Sequence, residues 1–192
     1  MRYTTRKLAV GAALSVLLAS SLACAMTVSG PTPPGSPIPV STAAAGQLAS
    51  VWQEAKVDPA TGQISVVVTE TELTSYLSYK LAEWKDAPIS NPQAYLRNSR
   101  FELYGTAKAA SITTTASVAF STTVSSDGGI QLQVASANFG PVPVPPDLLA
   151  RLSLMINEGL TGSLGEMATG VKLTSVDIRD GQMTITGSVT KP

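Results

Sequence analysis

Residues Ile112–Val124 read ITTTASVAFSTTV and form the stretch that decides the fold. One set of alternate positions includes Ile112, Val118 and Phe120, whereas the positions between them hold only Thr, Ser or Ala. Because successive side chains of a strand point to opposite faces, this alternation predicts one long, half-buried β-strand. At about 3.3 Å per residue the strand would extend over roughly 40 Å, so we expect an elongated or bent sheet.

Shorter segments with the same two-residue period lie on both sides of this strand. Asp127–Gly129 is typical of a hairpin turn and predicts that the chain returns antiparallel to the long strand. Arg179–Gly181 predicts a second hairpin near the C-terminal end. The predicted partner strands are Gln63–Thr69, Tyr95–Ser99, Arg100–Ala109, Ile130–Val134, Val171–Ile178 and Gln182–Thr190.

Two segments with apolar residues at every third or fourth position predict amphipathic helices. The first, about Glu70–Lys85, follows a capping box in which Thr69 is the N-cap and Glu72 is the third helical residue. The second begins at Pro146, and a shorter helix is predicted over Thr42–Val57. The predicted fold class is therefore α+β, with a long curved antiparallel sheet packed on two amphipathic helices.

A ten-residue pattern occurs twice, 82 residues apart, in Leu96–Gly105 and Ile178–Gly187. In both copies an apolar residue is followed by Arg, then by Asn or Asp, and then by a small residue. Polar and apolar residues alternate after it, up to a final Gly. Each copy follows a Leu-rich helix, which predicts an internal helix–hairpin repeat. The alternative is that any two hairpins share this turn chemistry.

The N-terminal end has the features of an export signal. The basic segment Met1–Lys7 precedes the apolar run Leu8–Leu22, which is shorter than the roughly 20 residues of a membrane span. Cys24, the single cysteine, follows small residues, as in a bacterial lipoprotein signal, where this residue becomes acylated. The alternative is ordinary signal cleavage within Ala23–Ala25, which would release a secreted protein.

A Pro-, Gly- and Ser-rich stretch without charge follows Cys24 and is typical of an extended spacer. An acylated Cys24 would place the protein on the outer face of a bacterial membrane, with the spacer as its tether. The predicted organisation is a signal peptide at 1–23, a spacer at 24–41 and a single domain at 42–192.

The composition excludes several classes of function. Lys+Arg and Asp+Glu number 13 each, and without Arg2, Arg6 and Lys7 the exported chain would keep 10 bases and 13 acids, a net charge of −3. This balance argues against a nucleic-acid partner. The chain has no His and one Cys, which removes Ser-His-Asp and Cys-His catalysis and His-ligated metals. We therefore expect a non-enzymatic protein without a metal or cofactor.

The interior allows two readings. Aromatic residues make up 5% of the chain, so Val, Leu, Ile, Ala and Thr would form most of the apolar faces. Small side chains between a helix and a curved sheet can leave a slot that suits acyl chains, in which each buried methylene contributes about 0.8 kcal/mol. The same residues can instead fill a closed core.

Four segments of the chain resemble the LmeA-type exported lipid-binding proteins and the bacterial lipoproteins related to the tubular lipid-binding superfamily. The resemblance implies a helix wrapped by a long bent sheet that holds phospholipid tails, and it brings no catalytic motif. The segments that carry it are Val66–Leu73, Leu96–Gly105, Phe139–Pro146 and Val176–Gly187.

The resemblance implies a ligand groove between the two long helices and the sheet. The expected function is a non-enzymatic, membrane-tethered protein outside the cytoplasm that binds lipid or another apolar molecule. The alternative is a closed-core structural or protein-interaction module of the cell envelope. The implied groove residues are Leu73, Tyr76, Leu77, Leu81, Trp84, Val118, Phe120, Leu132, Val134, Leu152, Met155 and Ile156.

Overall fold

The computed structural model describes residues 26–51, 53–109, 112–124, 130–144, 146–161 and 171–189. The α+β prediction is confirmed over these residues. The helices are α1 (Thr42–Ser50), α2 (Glu70–Glu83) and α3 (Pro146–Thr161). The strands are β1 (Met26–Val28), β2 (Gln63–Thr69), β3 (Ile89–Arg97), β4 (Arg100–Ala109), β5 (Ile112–Val124), β6 (Ile130–Asn138), β7 (Val171–Arg179) and β8 (Gln182–Val189).

The strands divide between two sheets rather than one. In the first sheet, β3, β4, β5 and β6 pair antiparallel in chain order. The strand β1 pairs parallel with the first residues of β5, which β6 leaves unpaired on that edge. In the second sheet, β8 lies between β2 and β7. A two-residue period shows which face of a strand is buried but does not specify its neighbours, so the division was not predictable from the pattern.

The long strand β5 has the predicted bounds and alternation. Its pairing with β6 shifts register between Ala119 and Phe120, and such an irregularity bends a strand locally. The inward side chains of β4 and β5 meet across the ladder, where the Phe101 and Phe120 rings stack with centroids 5.1 Å apart. This face packs beneath the helices and forms one apolar cluster that extends to the second sheet.

Three predicted elements have bounds that differ by four residues or more, and one of them is β6, which ends at Asn138 instead of Val134. The strand β3 begins at Ile89 instead of Tyr95, and its register shifts between Ser90 and Gln93 around Pro92. The shift breaks the alternation that would have indicated the longer strand. The helix α1 ends at Ser50 instead of Val57. The predicted turn at Asp127–Gly129 lies outside the described residues.

The helix α2 begins with the predicted capping box. The Thr69 hydroxyl accepts a hydrogen bond from the Glu72 N–H at 3.2 Å, and a Glu72 carboxylate oxygen accepts one from the Thr69 N–H at 2.7 Å. Further along α2, the buried Thr74 hydroxyl accepts a hydrogen bond from the Ala94 N–H of β3 at 2.9 Å. These bonds fix both the start of α2 and its position against the first sheet.

The two hairpins of the predicted repeat have the same turn geometry. Asn98 and Ser99 join β3 to β4 with φ values of 53° and 59°, and Asp180 and Gly181 join β7 to β8 with φ values of 51° and 80°. Positive φ at both central residues is the type I′ arrangement that suits two-residue hairpins. The two predicted hairpin turns are confirmed, and because both alternatives share this turn chemistry, the internal repeat stays a prediction.

Glu70, the first residue of α2, joins these two turns. Its carboxylate accepts a hydrogen bond from the Leu96 N–H at 2.8 Å, and its own N–H donates to the Gly181 carbonyl at 3.1 Å. The Gly181 N–H donates in turn to the Leu96 carbonyl at 2.9 Å. One helix start thus connects the first sheet to the second.

The described part of the predicted spacer lies on the body of the protein. We call residues 26–41 the strap. The Tyr95 hydroxyl donates to the carbonyls of Gly35 and Ser36, and the Ile38 N–H donates to the Gln93 side chain. Residues 1–25, which hold the predicted signal peptide and Cys24, lie outside the described residues, and the domain boundary at 42 stays a prediction.

Replacing Glu70 tests the connection between the sheets. We expect Glu70→Ala to lower the free energy of unfolding by about 1–3 kcal/mol, because the half-buried Leu96 N–H loses its acceptor. Glu70→Gln keeps an acceptor oxygen and should lose less. Urea denaturation measures both, with Glu83→Ala at the exposed other end of α2 as the control. Equal stability of Glu70→Ala and the control would contradict this role.

Candidate functional site

The helices α2 and α3 run antiparallel and form a seam above the sheet. Midway along α2, the Tyr76 ring lies so close to Gly159 that a Cβ on this glycine would be 2.6 Å from a ring carbon. One turn further, the Lys80 ammonium is 3.5 Å from the Glu158 carboxylate. In the first contact the Tyr76 ring packs directly against the α3 backbone, and the second contact closes the seam on the solvent side.

The partial burial of Tyr76 in the seam raises the pKa of its phenol. Burial of the phenol, with the carboxylates of Glu158 and Glu83 nearby, raises the pKa of Tyr76 to about 12. Loss of the proton would place a negative charge in a desolvated position beside two others. Tyr76 is therefore neutral at physiological pH and acts in the seam as an apolar ring.

The seam opens at the C-terminal end of α2. There the Arg151 guanidinium lies 4.7 Å from the centre of the Trp84 ring. Beside this pair is an open depression of about 520 Å³, which we call the mouth. Three cations and one acid surround it, together with an aromatic ring and a thioether. The mouth is lined by Lys80, Glu83, Trp84, Lys85, Arg151 and Met155.

A second depression lies between α2 and the start of β3 and has no lining residue in common with the mouth. Its volume is about 250 Å³, and its walls include Leu81, Ala87 and Ile89. Leu81 and Ile89 also belong to the apolar cluster beneath the helices. The apolar wall of this depression is therefore an outer edge of the core.

The structure brings all twelve predicted groove residues into one cluster. Eight of them are at most 5% exposed, and apart from Leu81, in the wall of the second depression, none of these eight lines either depression. The remaining four are half-buried and lie around this core. The buried residues are Leu73, Leu77, Leu81, Val118, Phe120, Leu132, Leu152 and Ile156, and the half-buried ones are Tyr76, Trp84, Val134 and Met155.

Sequence reasoning missed the cations of the mouth. Lys80 lies four residues from both Tyr76 and Trp84, and Arg151 lies four residues from Met155. Residues four apart lie on the same face of a helix, so this spacing placed the cations beside the predicted groove residues. The signal was present in the pattern of each helix, but the pairing of the helices was needed to bring the charges together.

The described residues contain neither a candidate metal site nor a helix that could span a membrane. Within them, no three His, Cys, Asp or Glu side chains are arranged to hold a metal ion. In the same part of the chain, no helix is long and apolar enough to span a membrane.

Comparison with protein families identifies a family that covers most of the chain. The model of the LmeA-like phospholipid-binding family matches residues 36–188. The chain belongs to the LmeA-like phospholipid-binding family. The resemblance drawn from the sequence is thereby confirmed, and lipid binding is the function that this family indicates. Neither the curated proteins nor the solved structures gave a match.

A pair of glycine substitutions tests the close approach in the seam. Gly46 in α1 has open space where a Cβ would be, so Gly46→Ala should raise the free energy of unfolding by about 1 kcal/mol through helix propensity. Gly159→Ala should lower it instead, because the new methyl group meets the Tyr76 ring. Thermal or urea denaturation measures both variants.

The same comparison in a Tyr76→Ala background separates the contact from other effects. Without the ring, Gly159→Ala should become stabilising, as Gly46→Ala is. A Gly159→Ala variant that is as stable as Gly46→Ala in the presence of Tyr76 would mean that the helices do not approach closely.

Proposed function

We propose that this protein is a non-enzymatic phospholipid-binding protein, held on the outer face of a bacterial membrane, which takes the lipid tails between α2, α3 and the sheet. The observation that carries the proposal is the mouth: an open depression with three cations at the end of an apolar seam. Membership of the LmeA-like family supports the class of ligand.

The chemistry of the mouth suits a phospholipid headgroup. The planar guanidinium of Arg151 can bind two oxygens of a phosphate, and Lys80 and Lys85 supply further positive charge. Trp84 has an apolar ring with a polar N–H and suits the boundary between a headgroup and its tails. The phosphate would therefore remain at the mouth while the tails enter the seam.

The contacts that close the seam are weak compared with the burial of a tail. The Lys80–Glu158 pair is exposed to solvent and contributes at most about 1 kcal/mol. The Arg151–Trp84 contact contributes about 0.5–1 kcal/mol at an accessible site. Each methylene that a tail buries contributes about 0.8 kcal/mol, so a few methylenes offset both contacts. Ligand entry by separation of α2 and α3 is energetically reasonable.

Inside the seam, the half-buried Tyr76 and Met155 would meet the tails first. The eight buried groove residues would then exchange contacts with one another for contacts with hydrocarbon. Because apolar side chains contact either partner equally well, this exchange changes the free energy little. The proposed groove is therefore formed by the ligand as it enters.

A closed-core module of the cell envelope is the second candidate, favoured by the burial of those eight side chains. The two candidates differ in lipid content. Native mass spectrometry of gently extracted protein should detect bound phospholipid if the first is correct. Protein that is free of lipid after extraction, and after incubation with phospholipid vesicles, would instead favour the closed-core module.

Charge removal at the mouth tests the headgroup site. We expect Arg151→Gln combined with Lys85→Gln to weaken phospholipid binding by roughly tenfold or more, because hydrogen bonds to charged groups contribute about 1.5–3 kcal/mol each. Arg100→Gln combined with Lys56→Gln makes the same change of charge at exposed positions away from the mouth. A fluorescent phospholipid titration measures both. Equal affinities of the two double variants would contradict the assignment.

Membrane attachment through an acylated Cys24 is supported by the sequence alone. The basic segment, the apolar run and the single cysteine have the order of a lipoprotein signal. Two or more acyl chains anchor a protein firmly. We expect Cys24→Ser to move the protein from the membrane fraction to the soluble fraction on cell fractionation. A Cys24→Ser variant that remains in the membrane fraction would count against this anchor.

A further inference from the structure

The strap leaves the body at one particular end of the first sheet. A row of paired residues crosses this sheet from Val28 in β1 to Thr114 in β5, then to Ala107 in β4 and Ile89 in β3. The start of the described chain and the start of β3 thus lie at the same end. Four neighbouring strands about 4.8 Å apart place them within roughly 15 Å of each other.

The mouth lies at this end as well. The Lys108 N–H of β4 donates to the Pro88 carbonyl at 3.4 Å, and Trp84 precedes Pro88 by four residues. A chain of that length spans at most about 14 Å. On the other side, Gly140 lies against Thr114 on the connection that leads to α3, which carries Arg151. Both walls of the mouth therefore extend from the end of the sheet where the strap begins.

The strap is fixed along its length. Tyr95 is 1% exposed although it lies on the outer face of the sheet, beside Tyr104, because the strap covers it. At Gly30 the backbone approaches β5 so closely that a Cβ would overlap the Thr115 carbonyl. Gln93 exchanges two hydrogen bonds with the backbone of Ile38. The segment read from composition as a free spacer thus has fixed partners on β3 and β5.

This attachment shortens the connection to the proposed anchor. Cys24 precedes Met26 by two residues, so their Cα atoms are at most about 7 Å apart. A free, flexible spacer of about 15 residues would instead allow a typical separation of roughly 20 Å in any direction. The acyl chains on Cys24 therefore bring one end of the body to the lipid surface.

We infer that the partner of this end is the bilayer itself, and that the strap holds the anchored protein with the mouth against the membrane surface. The inference rests on the anchor proposed at Cys24 and adds an orientation to it. A lipid could then pass between the bilayer and the mouth without crossing water. The turns that hold Asn98 and Asp180, at the other end of the strands, would face away from the membrane.

Site-specific labels test this orientation on the full chain. Lys108 and Ser29 are exposed near the mouth end, and Asn98 and Arg100 are exposed at the other end. At about 3.3 Å per residue, Lys108 and Arg100 lie roughly 26 Å apart along β4. With Cys24 acylated, each of Lys108→Cys, Ser29→Cys, Asn98→Cys and Arg100→Cys supplies a single free thiol for a fluorescent label.

The labelled proteins are reconstituted in vesicles of phosphatidylcholine and phosphatidylglycerol, part of which carries brominated acyl chains that quench fluorescence on contact. We expect quenching at Lys108→Cys and Ser29→Cys to exceed that at Asn98→Cys and Arg100→Cys by at least severalfold. Equal quenching at both ends of vesicle-bound protein would overturn the inference and leave phospholipid binding untouched. Protein that fails to remain with the vesicles would overturn the anchor and the inference together.

A strap variant tests the cause of the orientation. Gly30→Ala places a methyl group where the Thr115 carbonyl lies and should loosen the strap from β5 without removing the anchor. In this background we expect quenching at Lys108→Cys to fall towards the value at Arg100→Cys, while the protein stays on the vesicles. Gly46→Ala, where a methyl group has open space, is the matched control. Unchanged quenching in Gly30→Ala would show that the strap does not set the orientation.

Discussion

The carboxylate of Glu70 is the contact on which the arrangement of the helices depends. It binds the Leu96 N–H of the first sheet while the Glu70 N–H binds the Gly181 carbonyl of the second. Burial of apolar surface is not directional, so this junction and the bond from the Gly181 N–H to the Leu96 carbonyl supply directional contacts between the two sheets. The capping box sets the start of α2 beside this junction, and therefore which residues of α2 face α3.

The molecule combines a well-packed core with a weakly closed seam. The core residues are buried among side chains from both sheets, and their separation would expose a large apolar area. Towards the solvent, the seam between α2 and α3 is closed by the Tyr76 ring packed on Gly159, an exposed ion pair and a cation–π contact. Local opening of a protein follows the regions with the fewest buried contacts. A ligand that enters along the seam would leave the paired strands intact.

The strap shows how a composition typical of linkers can still be part of a fold. Proline lacks an N–H, so a proline-rich segment cannot complete a sheet ladder and cannot form a core of its own. It can accept hydrogen bonds through its carbonyls, and the Tyr95 hydroxyl and the Arg97 guanidinium supply the donors. The partners come from β3, about 60 residues away along the chain, so local composition contains no sign of them.

The sequence by itself determined the parts that depend on neighbours along the chain. The capping box at Thr69, the bounds of β5 and the two hairpin turns follow from interactions over a few residues, and all were predicted correctly. Tertiary structure alone decided the division into two sheets, the position of the strap and the gathering of Arg151 with Trp84. The periods of strands and helices show which side chains face inwards, whereas which elements become neighbours depends on contacts between residues that are far apart in the sequence.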